Sequence, residues 1–395
     1  MQDTVPVAEA APQNHELPLR FVGSGSEYFR IWIVNLLLTL VTLGLYYPFA
    51  KVRRLRYFHG ATEVGGAPLS FHADPWKMFR GYLLVGLMFA LYSGAGHFSA
   101  TAGAIAFLII AALWPALWHS SMRFRLANTG WRGLRLRYTG TARAAYAVMA
   151  LPIIVAALFV ASALLLPGEP ATPPAPDAPP PPAPDGWVVL LALLPGLLMM
   201  SLTPLFLWLL KRLQHSNYAL GDERTGFAAT LGSFYGLSFK AGLVALAAAV
   251  VVGAAVMLLG WVLRPAEGGG AGSIVLGMAA ALLSYLVVFA LAGGYWTARL
   301  QNLVWGRTES PRLHFRSTLS AGALAGLWFR NTFLVIVTLG LYFPFAQVAS
   351  ARLRLEAVTV VSSVDPDELA ASAGRSDEAA AGDAAGDLLG FDIGL

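Results

Sequence analysis

Apolar residues fall in long uninterrupted runs rather than in the one-sided stripes of soluble helices. The runs at 76–94, 100–122, 142–166, 187–211, 237–263 and 273–298 each supply roughly 20 residues, enough for a helix to cross about 30 Å of hydrocarbon. Two further runs, 28–50 and 323–346, are similarly apolar but are interrupted by LGLYYP and LGLYFP. Between runs lie short segments with the alternation of half-exposed strands, such as Leu69 and Phe71, or Leu134, Leu136 and Tyr138. The pattern predicts an all-α polytopic membrane protein with short β-strands or hairpins gathered at one face.

Composition agrees: 57% of the 395 residues are hydrophobic and 12% charged, against about 25% charged in an ordinary soluble domain. The net charge of +5 points to no nucleic-acid groove, because Lys and Arg cluster at the ends of the apolar runs. There they orient the chain, since positive loops are retained in the cytoplasm. Segments 51–75, 123–141, 212–236 and 299–322 are basic, whereas 95–99, 167–186 and 264–272 carry one Arg in all. The first group is therefore expected in the cytoplasm and the second outside. The first 27 residues lack a basic segment followed by an apolar one, so no cleavable signal is expected.

The chain repeats itself. TLVTLGLYYPFA at 39–50 returns as VIVTLGLYFPFA at 335–346, and a proline precedes an arginine by eight residues at Pro48 and Arg56, Pro115 and Arg123, Pro204 and Arg212, and Pro344 and Arg352. After each arginine the strings agree again: RYFHGAT, RFRLANT, RLQHSNY, RLQNLVW and RLRLEAV. An internally repeated bundle follows. Its boundaries are a disordered N-terminus at 1–16, a first membrane half at 17–166, a Pro-rich outside spacer at 167–186, a second half at 187–361 and an acidic, disordered tail at 362–395. The repeat also creates a conflict, because the strand-like stretch at 17–23 and the basic residues after 50 both belong inside. Either 28–50 and 323–346 are re-entrant hairpins turning near Leu43-Gly44 and Leu339-Gly340, giving six crossings plus two hairpins, or the bundle has eight crossings with both termini outside. Re-entry is the preferred reading, and it requires those segments to be buried in protein or to line water.

The run from GSGSEYFRIW through LGLYYPFAKVRRLRYFHGATEVGGAPLSFHA resembles the YjgN family, bacterial inner-membrane proteins that share a domain of unknown function. The resemblance extends over roughly 17–362. It implies a multi-pass location in the inner membrane and supplies no activity, substrate or catalytic residue.

Polar groups at membrane depth are candidate sites by default. Asn35 and Asn331 could line a path, or each could simply bond a neighbouring helix for roughly 1 kcal/mol. Gly44, Tyr46 and Pro48, with Gly340, Tyr342 and Pro344, form the breaks of discontinuous helices. Arg56, Arg123, Arg212, Arg299 and Arg352 could form a ring attracting an anionic lipid or substrate, or could orient helices and complement their dipoles. His59, His119, His215 and His314 stand at or near helix ends without metal-ligand spacing. With no cysteine, no nucleophile elbow, no phosphate loop and no paired carboxylates in the spans, no enzyme, cofactor or metal is expected. The expected partner is the lipid bilayer, with no nucleic acid. The reading is a transporter or channel for a small solute, with a scaffold or a lipid- or partner-binding protein as the alternative.

Overall fold

The computed structural model describes residues 14–165, 185–262 and 271–381. Most of the spacer at 167–186 and the end of the acidic tail lie outside these. Helices α1 (Gly25–Val41) and α2 (Tyr47–Gly60) follow strand β1 (His15–Phe21) and lead to β2 (Thr62–Val64) and β3 (Ala67–Phe71). Helices α3 (Pro75–Phe98) and α4 (Ala100–Ala127) lead to β4 (Thr129–Trp131) and β5 (Leu134–Tyr138). Helices α5 (Ala142–Leu165) and α6 (Gly186–His215) lead to β6 (Tyr218–Leu220), β7 (Glu223–Arg224) and β8 (Gly226–Phe227). Then come α7 (Leu231–Val262), α8 (Ala271–Val288), a π-helical turn at Phe289–Gly293, α9 (Gly294–Trp305), β9 (Thr308–Glu309) and β10 (Leu313–Ser317). The chain ends through α10 (Ala321–Val337), α11 (Phe343–Leu355), β11 (Val358–Ser362) and α12 (Pro366–Ala381).

Six of these helical stretches are long and apolar enough to cross a membrane, among them the continuous one at Val275–Trp305. Little of each is covered by protein: in α7 only 6% of the most apolar window is buried. Such a surface is incompatible with water and suits hydrocarbon. The far ends of α3 and α4 meet at Ser99, whose hydroxyl accepts from the Ala102 N–H to start α4.

The expectation of an all-α protein is overturned by the near ends. The short strands join in one antiparallel sheet in the order β7-β6-β5-β4-β3-β2-β1-β11-β10-β9-β8. Its two ends, β7 and β8, flank a single residue, Thr225, whose N–H donates to Tyr218 O at 2.9 Å. The sheet is thus a nearly closed ring, and closure removes the free edges that make short strands unstable. Two-residue turns with positive φ at both positions, Gly65-Gly66 and Arg132-Gly133, give the twist that tight hairpins need. Alternation points Leu17 and Leu19, Leu313 and Phe315, and Val358 and Val360 inward. Glu16 and Arg316 stand outside, paired with each other.

Five units of helix, strands and helix make the ring, with two strands in each except the α6–α7 unit, which has β6, β7 and β8. Four are consecutive in sequence, and the fifth joins the two chain ends: α11 and β11 from one, β1 and α1 from the other. His15, Glu16, Leu17 and Pro18 pair with Ser362, Val361, Val360 and Thr359, and α1 packs on α11. Recurring bonds stop each helix at its strand. Thr62, Thr129 and Thr308 hydroxyls donate to Phe58, Arg125 and Val304 carbonyls at 2.7–2.8 Å, satisfying acceptors left over at a helix C-terminus.

The two odd segments are helical hairpins. β1 before α1 pairs with β2 after α2, and β10 before α10 pairs with β11 after α11, so both limbs of each hairpin start and end at the sheet. The limbs α1 and α10 have 17 residues each, about 26 Å at 1.5 Å per residue and short of the hydrocarbon thickness. The turns fall where the repeat places them: Leu43 and Gly44 have φ of 49° and 91°, Leu339 and Gly340 of 50° and 94°. Thr42 and Thr338 brace them, their hydroxyls accepting from the Tyr46 and Tyr342 N–H at 3.0 and 2.9 Å.

The stretch from 362 onward, read as disordered, instead carries α12 as far as Ala381. Leu369 and Ala373 of α12 are buried against Trp131, Leu220 and Leu313 inside the sheet ring, and Asp367 pairs with Arg132.

The left-handed turn makes a specific demand. A Cβ at Gly340 would meet nothing within 4 Å, so Gly340→Ala tests backbone strain alone and should destabilise the protein by about 1–2 kcal/mol. Thermal unfolding in detergent would read this as a lower Tm, and an unchanged Tm would contradict the turn.

Candidate functional site

Inside the ring of strands and the circuit of helices lies one large chamber of about 1240 Å³. Its sheet end is walled by inward strand residues, Leu17, Val64, Leu69, Leu136, Leu220 and Leu313, and is stopped by Leu369 of α12. Its other end reaches Phe289 on the π-helical turn, Trp328, Asn331 and Val335 on α10, and Phe343 and Gln347 on α11. Phe289 and Trp328 stack at 5.5 Å. A π-helical turn widens the helix by one residue and is common at functional sites; here it presents Phe289 to the chamber.

Where strands meet helices, the wall turns polar. Arg54, Arg125 and Arg354 line it, with Gln301, His59, Tyr218 and Glu223. Arg354 Nε donates to Gln301 Oε1 at 3.0 Å, and Gln301 Nε2 donates to Arg354 O at 2.8 Å. The Lys51 ammonium is within electrostatic reach of Arg125 and Arg54, and that of Lys211 within reach of Arg354. Glu223 is buried and already engaged, accepting from Arg312 Nε at 3.0 Å and from the Ser310 hydroxyl at 2.8 Å. Burial pushes the Tyr218 phenol up to about 12, against the pull of Arg125, so it remains a neutral hydroxyl.

Of the residues singled out from sequence, Asn331 and His59 line this chamber. Asn331 Nδ2 donates to Ala346 O at 3.3 Å, as Asn35 Nδ2 donates to Ala50 O at 3.5 Å. The two amides fasten the limbs of their hairpins. Gly44, Tyr46, Pro48, Gly340, Tyr342 and Pro344 build the two turns: each Tyr precedes its helix, and each Pro sits in the first turn, where its missing N–H has no bond to lose. Tyr46 stacks on Phe49 and Tyr342 on Phe345.

The five arginines read as a ring are all exposed and none faces the chamber. Arg56 donates to Ala73 O at 2.9 Å and Arg352 to Gly23 O at 2.8 Å, each tying a helix end to the start of the next helix. Arg212 and Arg299 lie over Trp208 and Tyr295 of their own helices, and Arg123 is exposed. Two of the three chamber arginines, Arg125 and Arg354, were legible in the same strings. Two positions after Arg56, Arg123, Arg212, Arg299 and Arg352 stand Phe58, Arg125, Gln214, Gln301 and Arg354, about 200° around the helix and so on its opposite face.

The histidines are separate. The His119 ring bonds Gly140 O at 2.8 Å, His215 bonds the Thr308 hydroxyl at 2.9 Å, and His314, on strand β10 rather than at a helix end, faces Glu309 at 3.8 Å. His59 faces the chamber with Nδ1 2.8 Å from Leu55 O. Burial pushes its imidazole below the ordinary range, the backbone bond opposing. The unfolded chain then takes the proton first, so stability falls as pH drops below about 6.5. His59→Gln should flatten the decline in Tm between pH 7.5 and 5.5, measured by thermal unfolding, and an unaltered slope would exclude this role.

A family profile described as "Bacterial protein of unknown function (DUF898)" matches residues 16–388. Over 148 residues the chain is 29% identical to Inner membrane protein YjgN of Salmonella typhimurium, covering 37% of this chain and 38% of that relative. With the protein of the same name from Escherichia coli K12 it is 28% identical over 155 residues, 38% and 39% of the two chains. The aligned part thus spans well under half the length of these relatives. No solved structure matches the chain. With a profile covering nearly all of the chain and six helices fit to cross a bilayer, this chain belongs to the YjgN family of multi-pass bacterial inner-membrane proteins.

Proposed function

We propose that the chain conducts a solute across the inner membrane along the axial chamber, with passage rather than chemistry as its role. The observation that carries this reading is the size of the space inside the ring. A ring of strands and a circuit of helices surround a space of about 1240 Å³, and α12 seats Leu369 at its sheet end. A scaffold would need no such space, because interiors ordinarily pack with few voids larger than a water molecule.

In this reading the sheet faces the cytoplasm, since the basic residues at the helix ends accompany it. The six long helices cross the bilayer, and the hairpins α1–α2 and α10–α11 enter it from the cytoplasmic side and return. Re-entrant backbone is tolerated where it is buried in protein or lines a cavity, and the α10–α11 limb lines this one with Asn331 and Gln347. Exposed Leu43 and Leu339 at the tips would rest in hydrocarbon. Helix α12 is the natural closure on the cytoplasmic side, held by apolar packing and the pairing of Asp367 with Arg132.

Because the chain has no cysteine, a single Ser350→Cys reports chamber access. A membrane-impermeant thiol reagent added from the cytoplasmic side should modify it about tenfold faster when the chain is cut before α12, since removing the plug releases local burial. Equal rates would remove α12 as the closure, and no reaction in either protein, from either side, would overturn the path.

A further inference from the structure

We propose that the chamber binds an amphiphile with an anionic, hydroxyl-bearing head group, the head held by Arg54, Arg125 and Arg354 and the tail lying against Phe289, Trp328, Val335 and Phe343. The inference deepens the transport reading and rests on it only for access to the chamber.

Charge is the first ground. Three guanidinium groups line one enclosure, with the ammonium groups of Lys51 and Lys211 in electrostatic reach. The carboxylate that lines it, Glu223, is already bonded to Arg312 and Ser310. Among the described residues neither Arg54 nor Arg125 has a carboxylate partner. The Lys51 ammonium is repelled by both Arg125 and Arg54 and that of Lys211 by Arg354, and an anion placed among such groups relieves the repulsion while accepting charge-assisted hydrogen bonds.

Size and wall chemistry decide what else the occupant must be. The volume is about forty times the roughly 30 Å³ that one water takes in the liquid, far beyond a simple anion. Most of the wall is leucine, valine, phenylalanine and tryptophan, which favours an apolar body over a fully polar one.

The third ground is a pair of buried acceptors. Among the described residues Asn331 Oδ1 and Gln347 Oε1 have no donor, as is true of Asn35 Oδ1 in the other hairpin; unlike Asn35, both line the chamber. A buried carbonyl oxygen left without a donor is costly, so these atoms call for hydroxyl or amine hydrogens. Gln347, Ser350 and Arg354 follow at intervals of three and four along α11, so they share one face. From Gln347 to Arg354 is about 10 Å along the axis. A phosphate at the arginines with hydroxyls reaching toward Gln347 fits this order.

The test uses the full chain in detergent, titrated calorimetrically with dihexanoyl phosphatidylglycerol, dihexanoyl phosphatidylcholine and glycerol 1-phosphate. The first should bind about tenfold more tightly than either of the others, as expected when charge-assisted hydrogen bonds are made and an apolar body is desolvated. The R54Q/R125Q/R354Q protein should lose about tenfold, whereas R123Q/R212Q/R299Q, away from the chamber wall, should change less than about twofold. The charge-conserving R54K/R125K/R354K protein should retain most of the affinity, which separates loss of binding from loss of fold. Equal binding of the two lipids would overturn the anionic head. Glycerol 1-phosphate binding as tightly as the lipid would make the occupant a soluble anion and overturn the amphiphile. Equal loss in the two glutamine proteins would reduce binding to surface adsorption and overturn the site. Should the lipid bind as expected while Ser350→Cys stays unreactive with and without α12, the site stands and the transport path falls.

Discussion

The antiparallel pairing of β1 with β11 is the interaction on which the remaining architecture depends. Each of the other strands is only two to five residues long, and strands so short hold their hydrogen bonds only when both sides are paired. Joining the first ordered strand to the last turns a row of weak hairpins into a ring with almost no edge. Arg352 reinforces the joint by bonding Gly23, and α11 packs on α1 at the same place. Loss of that junction would open the sheet and the helix circuit together, and with them the chamber.

The hairpins α1–α2 and α10–α11 obey the same constraint. The ends of both limbs of each hairpin are held to neighbouring strands of the sheet, so the chain reverses between them. The nearly identical strings around Gly44 and Gly340 supply the positive φ that the reversal needs, and Asn35 and Asn331 clamp the limbs. The two copies diverge where they meet the interior. Lys51 stands in one at the position of Gln347 in the other, and the α10–α11 copy contributes the uncompensated acceptors to the chamber. Backbone reversal is common to both, while the cavity face has been varied.

Charge divides between the two faces of each helix end. The outer arginines secure helix starts or lie over their own aromatic residues, and the inner ones face an enclosed space. Both groups read as one basic cluster along the chain, because two residues of sequence separate opposite sides of a helix. Arg312, which holds Glu223, keeps the one chamber carboxylate from neutralising Arg54 or Arg125. The interior is thereby left positive beside apolar walls, a combination that plain packing does not require.

Much of this protein is decided locally. Six runs of apolar residues are long enough to span hydrocarbon, so membrane residence follows from the chain alone, whereas the course of 28–50 and 323–346 was left open between re-entry and crossing. The repeated LGLY strings likewise determine where the two hairpins turn, since positive φ is a property of a few residues. Alternation in LPLRF and LRLRY determines that those stretches are strands with an inner and an outer side. Only the tertiary structure decided that the strands form one ring, because closure joins residues 15–18 to 359–362 and no local pattern records a partner so distant. It also decided which basic residues face inward, and that the acidic tail begins with a helix whose Leu369 and Ala373 fill the ring, since an amphipathic helix acquires its place only when there is an apolar cavity to receive it.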